Sequence, residues 1–226
     1  MRDLSVGDEI AALLYPTLGV PAANWGPLGP RVLATPIGGE LRGYDRASKT
    51  MLILNAVRPI RNVLGARNAV VAAEVGMSWA SGLDENMRYG RGYVFGIARS
   101  PTYGPVNEVV AGGCPLLNTP NQAGCAPEGF FSRFAWGYRL RAQLNYANVA
   151  GSGVTISPNF FWLQDVRGYS VDNQMIQDRK TLALGVNFAF PKKINLGLLY
   201  TWYADDAPWN PTRDRDFIGG KLSYSF

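Results

Sequence analysis

Residues 217–226 read Phe217-Ile218-Gly219-Gly220-Lys221-Leu222-Ser223-Tyr224-Ser225-Phe226. Side chains alternate along an extended chain, so Ile218, Gly220, Leu222, Tyr224 and Phe226 fall on one side and Gly219, Lys221, Ser223 and Ser225 on the other. The stretch reads as a strand with one apolar face and one small or polar face. Two architectures use such a strand, the edge of a soluble antiparallel sandwich and the wall of a closed membrane barrel. The chain upstream separates them.

The same alternation recurs. Asn68 to Trp79 sets Ala69, Val71, Ala73, Val75, Met77 and Trp79 opposite Val70, Ala72, Glu74, Gly76 and Ser78. Phe134 to Ala147 sets Trp136, Tyr138, Leu140, Ala142, Leu144 and Tyr146 opposite Gly137, Arg139, Arg141, Gln143 and Asn145. After a turn through Gly151-Ser152-Gly153, Val154 to Leu163 turns Ile156, Pro158, Phe160 and Trp162 one way. Lys180 to Phe190 sets Leu182, Leu184, Val186, Phe188 and Phe190 opposite Thr181, Ala183, Gly185, Asn187 and Ala189. Beyond Pro191-Lys192-Lys193, Ile194 to Tyr203 sets Leu196, Leu198, Tyr200 and Trp202 opposite Asn195, Gly197, Leu199 and Thr201. Thr50 to Val57 is apolar on both faces, and Pro59 is expected to end it.

The connections alternate in length, short at 148–153 and 191–193, long at 80–133, 164–179 and 204–216. That is the pattern of a barrel with short periplasmic turns and long external loops. The aromatic residues sort by height under this assignment. Trp79, Trp136, Tyr138, Trp162, Tyr200 and Trp202 fall at the long-loop ends, and Tyr146, Phe188, Phe190, Tyr224 and Phe226 at the short-turn ends. Two aromatic belts around an aliphatic band suit two membrane interfaces, whereas a sandwich has no reason to sort aromatics this way.

The expected fold is therefore all-β, an antiparallel transmembrane β-barrel or its C-terminal part. Seven strands are counted, with Leu41 to Arg46 as a stunted eighth. Residues 1–47 read as a loop-rich segment with a short helix at 9–14, residues 48–226 as barrel strands, and 80–133 as a long external loop. Single-chain barrels have an even strand number and both ends periplasmic, so the chain is expected to lack upstream strands and a signal peptide.

Composition removes several function classes. The 226 residues include 26 Gly and 15 Pro and are only 17% charged, which favours strands and turns. The mean hydropathy is -0.06, and no apolar run approaches the length of a transmembrane helix. The net charge of +5 comes from scattered residues with no basic cluster interleaved with aromatics, so nucleic acid is not an expected partner. Histidine is absent, which removes Ser-His and Cys-His catalysis and His-based metal sites. Carboxylates lie mostly in loops, so an outer-membrane hydrolase is the weakest reading and the protein is expected not to be an enzyme and to need no cofactor or metal.

Several stretches together resemble a known family. They are Glu74-Val75-Gly76, Trp136-Gly137-Tyr138-Arg139-Leu140, Asp165-Val166-Arg167-Gly168-Tyr169-Ser170, Arg179-Lys180-Thr181-Leu182, Asn210-Pro211 with Arg213-Asp214-Arg215-Asp216, and Ser223-Tyr224-Ser225-Phe226. From about Gly43 to Phe226 the chain is similar to the C-terminal portion of an outer-membrane barrel family, the domain of unknown function thirteen hundred and two. The resemblance implies a Gram-negative outer-membrane location, with membrane lipid and the barrel assembly machinery as partners and Phe226 as the assembly signal. It also implies work alongside an inner-membrane transporter of the resistance-nodulation-division type and a periplasmic lipoprotein-like protein, moving hydrophobic or amphipathic compounds. It supplies no catalytic residues. Gln164 departs from the histidine expected before Asp165-Val166.

The expected function is an outer-membrane channel or transport protein. Its lumen would be lined by Arg139, Arg141, Gln143, Asn145, Asn159, Asn187, Asn195 and Lys221, with Glu74 as a counter-charge. The alternative role for the arginines is pairing with acids elsewhere. Cys114 and Cys125 suit a disulfide closing a small external loop, through which an adhesive or structural barrel would act, or two free thiols. The loop carrying Asp205, Asp206, Arg213, Asp214, Arg215 and Asp216 reads as self-paired, or as a gate or cation site.

Overall fold

Alternating apolar and polar residues leave each strand able to satisfy its backbone only by pairing with neighbours, and the chain does so by folding back on itself repeatedly. The structure is a computed structural model. It describes residues 2–5, 29–42, 44–84, 89–90, 129–191, 193–204, 206–207 and 209–225. The strands are β1 (Arg2–Ser5), β2 (Tyr44–Val63), β3 (Ala66–Ser81), β4 (Phe134–Asn145), β5 (Thr155–Arg167), β6 (Lys180–Ala189), β7 (Ile194–Tyr203) and β8 (Phe217–Tyr224). One short helix, α1 (Gly29–Ala34), and a 3-10 turn at Val149–Gly151 are the helical elements among the described residues. Strand order follows chain order from β1 to β8 in one sheet, so the fold is all-β, with β1 and β8 at the two ends of the order. The pairings of β1 with β2 and of β4 through β8 are antiparallel.

Several boundaries differ from the sequence reading. Pro59 does not end its strand, because β2 runs on through it to Val63. Proline is compatible with extended backbone, and its missing donor matters only where the N–H would face a partner. Leu41 to Arg46 is no separate strand: Tyr44 to Ala47 open β2 and pair with β1. Gln164 belongs to β5 rather than to a loop, opposite Lys180 on β6. The turn between β2 and β3 is only Leu64-Gly65, both at positive φ (51 and 76), the left-handed pair that matches the twist of a two-residue hairpin. The helix expected at 9–14, Cys114, Cys125, Asp205 and Phe226 lie outside the described residues, as does most of the 80–133 loop.

The chain divides into two units, residues 1–50, 78–134 and 169–174 in the first and 51–77, 135–168 and 175–226 in the second. In the first, Asp45 Oδ2 accepts from the Arg31 guanidinium at 2.6 Å and from the Tyr89 hydroxyl at 2.7 Å, tying α1 and Tyr89 to β2. Tyr89 is 2% exposed, and burial together with the Asp45 carboxylate pushes its phenol up to about 12. Gly90, at φ +83, lies against Phe131, whose ring atom Cζ would sit 2.4 Å from any added Cβ. Lys49 pairs with Asp172, which also accepts from the Ser170 hydroxyl at 2.7 Å. Burial opposes ionisation of Asp172, but the Lys49 and Ser170 donors outweigh it and hold its carboxyl below the ordinary aspartate value.

In the second unit, Asp165 anchors the end of β5. Its Oδ2 accepts from the Ile176 amide at 2.9 Å, from Arg179 Nε at 2.7 Å and from the same guanidinium's second nitrogen at 2.6 Å. Its side chain is 4% exposed, so this is a desolvated pair that holds Ile176 and Arg179 against β5. Gly137 fits beside it because a Cβ there would stand 2.7 Å from Asp165 Oδ1, and the β4–β5 register shifts between Trp136 and Gly137.

Asp165→Ala removes the buried carboxylate that Arg179 and the Ile176 amide engage, and the expected loss is about 3 kcal/mol in urea-dependent unfolding. The double change with Arg179→Met is expected to recover part of it. A depressed folded-state pKa stabilises above the unfolded value and is lost as pH falls through the folded one. Asp172 is such a group, so the protection of the amides of Ser170 to Gln174, after correction for intrinsic exchange, is expected to hold between pH 7 and pH 5 and to fall only below about pH 4.

Candidate functional site

The register of β4 to β8 sorts their side chains into two faces. On one, Leu140, Trp162, Leu182 and Trp202 form a cross-strand row, followed by Phe160, Leu184, Tyr200 and Ile218. Further rows are Pro158, Val186, Leu198 and Gly220, then Ile156, Phe188, Leu196 and Leu222. These residues are not covered: Ile218 is 82% exposed and Leu222 74%. Tyr138 lies opposite Gln164, donating its hydroxyl to Gln164 Oε1 at 2.7 Å while accepting from Trp162 Nε1 at 3.4 Å. Gln164 thus serves as an acceptor at the aromatic long-loop end of the apolar face. Trp79 and Trp136 lie at the same ends of β3 and β4, and Tyr146, Phe190 and Tyr224 at or just beyond the short-turn ends of β4, β6 and β8.

The other face carries the polar residues singled out from sequence. Gln143 stands opposite Asn159, which stands opposite Gly185, while Asn187 and Lys221 both stand opposite Gly197, and Asn195 faces Ser223. The two glycines make room for amides. An added Cβ would meet Asn159 Oδ1 at 2.6 Å on Gly185 and Asn187 Oδ1 at 2.9 Å on Gly197. Asn145 joins three partners, donating to Asn68 Oδ1 at 2.6 Å and accepting from Ser157 at 2.8 Å and Gln143 at 2.9 Å. Asn68, Gln143, Asn145 and Ser157 are thus linked by hydrogen bonds at the short-turn end of this face.

Its two arginines are not equivalent. Arg139 pairs with Glu74 at 2.8 Å, both side chains partly exposed, so this guanidinium has its counter-charge on β3. Arg141 is exposed, has no acid partner among the described residues, and lies 5.0 Å from the centroid of the Phe161 ring on the neighbouring strand. Phe161, Asn68 and Ser157 were not singled out from sequence. Asn68 and Ser157 carry no pattern beyond strand parity, and Phe161 looks like core until pairing places it opposite Arg141.

The loop after β7 is held by strands. Asp206 pairs with Lys180, and Asp216 accepts from the Tyr203 amide at 2.8 Å and the Tyr200 hydroxyl at 3.1 Å. The self-pairing expected of this loop is not seen at Asp206 or Asp216, because the strand-end donors are nearer. No group of three or more potential ligands that could hold a metal lies among the described residues.

An antiparallel all-β sheet with one exposed apolar face and one hydrogen-bonded polar face defines the structural class. The chain belongs to the family described as Protein of unknown function (DUF1302), which matches residues 3–226. No curated protein and no solved structure matches it.

Gly197→Val would displace the Asn187 amide, and Gly185→Val the Asn159 amide. Each is expected to lower stability by roughly 1–3 kcal/mol in urea unfolding, since overpacking forces strain on neighbours.

Proposed function

We propose that this chain forms wall strands of an outer-membrane β-barrel that acts as a channel or transport protein. The observation that carries the reading is the two-faced register: uncovered aliphatic and aromatic rows on one side, amides and charges on the other. Large contiguous apolar exposure calls for a membrane or a partner surface, and a face of amides and charges calls for water. The apolar face meets lipid, with its aromatic ends at the headgroup levels. The polar face, with Glu74, Arg139, Arg141, Gln143, Asn145, Asn159, Asn187, Asn195 and Lys221, lines the lumen.

Arg141 is the guanidinium left to meet a solute, and a forked donor on a watery wall favours carboxylate- or phosphate-bearing compounds. The resemblance of the sequence motifs implies action with an inner-membrane transporter of the resistance-nodulation-division type and a periplasmic lipoprotein-like partner on hydrophobic or amphipathic solutes. Amphipathic anions satisfy both considerations.

Ion conductance across a planar bilayer tests the reading. With the chain refolded together with its upstream sequence, steady conductance is expected, and Arg141→Gln is expected to reduce anion over cation selectivity about two- to fivefold. Silence from a fully inserted protein would overturn the open channel.

A further inference from the structure

The connection from β5 to β6 leaves and re-enters the sheet at nearly one place. The Asp165 amide donates to the Arg179 carbonyl at 2.9 Å, the Asp178 amide to the Asp165 carbonyl at 3.0 Å, and the Gly168 amide to Gln177 Oε1 at 3.0 Å. Residues 169–176 are therefore an excursion whose two ends stand side by side. Where its returning end lies is decided by Met175 and Ile176, which are 5% and 4% exposed.

Both are seated on the polar face. Glu74 and Arg139 pair on that face, and Gly76 and Gly137, each two residues away along the same strand, share it. The Met175 methyl lies 2.9 Å from where a Cβ on Gly76 would stand, and Asp165 Oδ1 lies 2.7 Å from where one on Gly137 would stand. Through its other oxygen Asp165 holds the Ile176 amide at 2.9 Å. Strand β4 separates β3 from β5 in the sheet. Going from Ile176 to the Met175 methyl thus passes from β5 to β3 over the face of β4, two strand spacings or about 10 Å. A side chain at position 76 would occupy the seat of Met175, and one at 137 that of Asp165. An excursion projecting beyond the strand ends would instead put Met175 in water. Beside the crossing the same face carries Arg139 with Glu74 and, two residues nearer the short turns, Arg141 over the Phe161 ring.

We propose that Met175 and Ile176 form a constriction of the lumen ahead of Arg141, which restricts passage to slender, unbranched amphipathic anions and turns back polycyclic ones. This rests on the reading of the chain as a channel whose polar face lines the lumen. Backbone and apolar side chains laid across a wall take up width that a solute would use, and the narrowest level decides what passes. Asp165 holds the crossing at β5 and Gly76 seats it on β3, so it is pinned on both sides.

The test is current across a planar bilayer through the chain refolded with its upstream sequence, with hexanoate or adamantane-carboxylate as the anion. Wild type is expected to prefer hexanoate about tenfold by reversal potential. Replacing residues 170–175 by Gly-Gly is expected to raise single-channel conductance about twofold and to cut that preference to about twofold. Should the shortened chain fail to fold, as judged by heat-sensitive electrophoretic mobility, a second variant decides. Gln174→Cys, at an exposed position next to Met175, is made together with Cys114→Ser and Cys125→Ser and labelled with a polyethylene glycol maleimide. The label is expected to lower conductance by about half. A conducting protein whose conductance and anion preference are unchanged by shortening, or by the label where the shortened chain does not fold, would overturn the constriction and leave the channel reading intact. Silence of every fully inserted form would overturn the channel reading and the constriction with it.

Discussion

Backbone hydrogen bonding between antiparallel neighbours is the constraint on which the rest of the structure depends. Each strand from β4 to β7 pairs with the next, and the pairing fixes which residues stand side by side. Because the side-chain period is two, a slip of one residue would carry the apolar rows to the amide face and the asparagines to the apolar face. The Asn159–Gly185 and Asn187–Gly197 fits oppose such a slip, since only glycine leaves space for the amide lying across it.

Charge at the strand ends has a different role from charge on the strand face. Asp165 is desolvated and fully engaged by Ile176 and Arg179, an arrangement that shapes the connection leaving β5. In the other unit, Asp45 gathers Arg31 and Tyr89, and Lys49 meets Asp172. These contacts join residues far apart in sequence and hold connecting segments to strands. Arg141 lies over the Phe161 ring with no acid partner among the described residues, so its charge is not neutralised there.

Gln164 shows how a local departure is absorbed. It stands in β5, where its amide accepts from Tyr138, and Tyr138 in turn accepts from Trp162. The aromatic groups at that end are thus linked by hydrogen bonds through their polar tips, which lets each present its ring to an apolar surroundings while its O–H or N–H is satisfied.

Strand alternation, turn residues and the order of short and long connections were legible in the chain, because period-two patterning is a local property that pairing only has to respect. On that basis the all-β class, the two faces and the strands from Phe134 onward follow from sequence alone. The course of β2 through Pro59 did not, since a proline's effect depends on whether its missing donor would have faced a neighbour. Nor did the partners of the charged residues: Arg139 with Glu74 and Asp165 with Arg179 are fixed by register and by chain reversal. Composition determined what each face is made of. Tertiary structure alone decided which charge is neutralised and which is left open, because Coulomb and hydrogen-bond energies depend on separation in space, which sequence distance does not give.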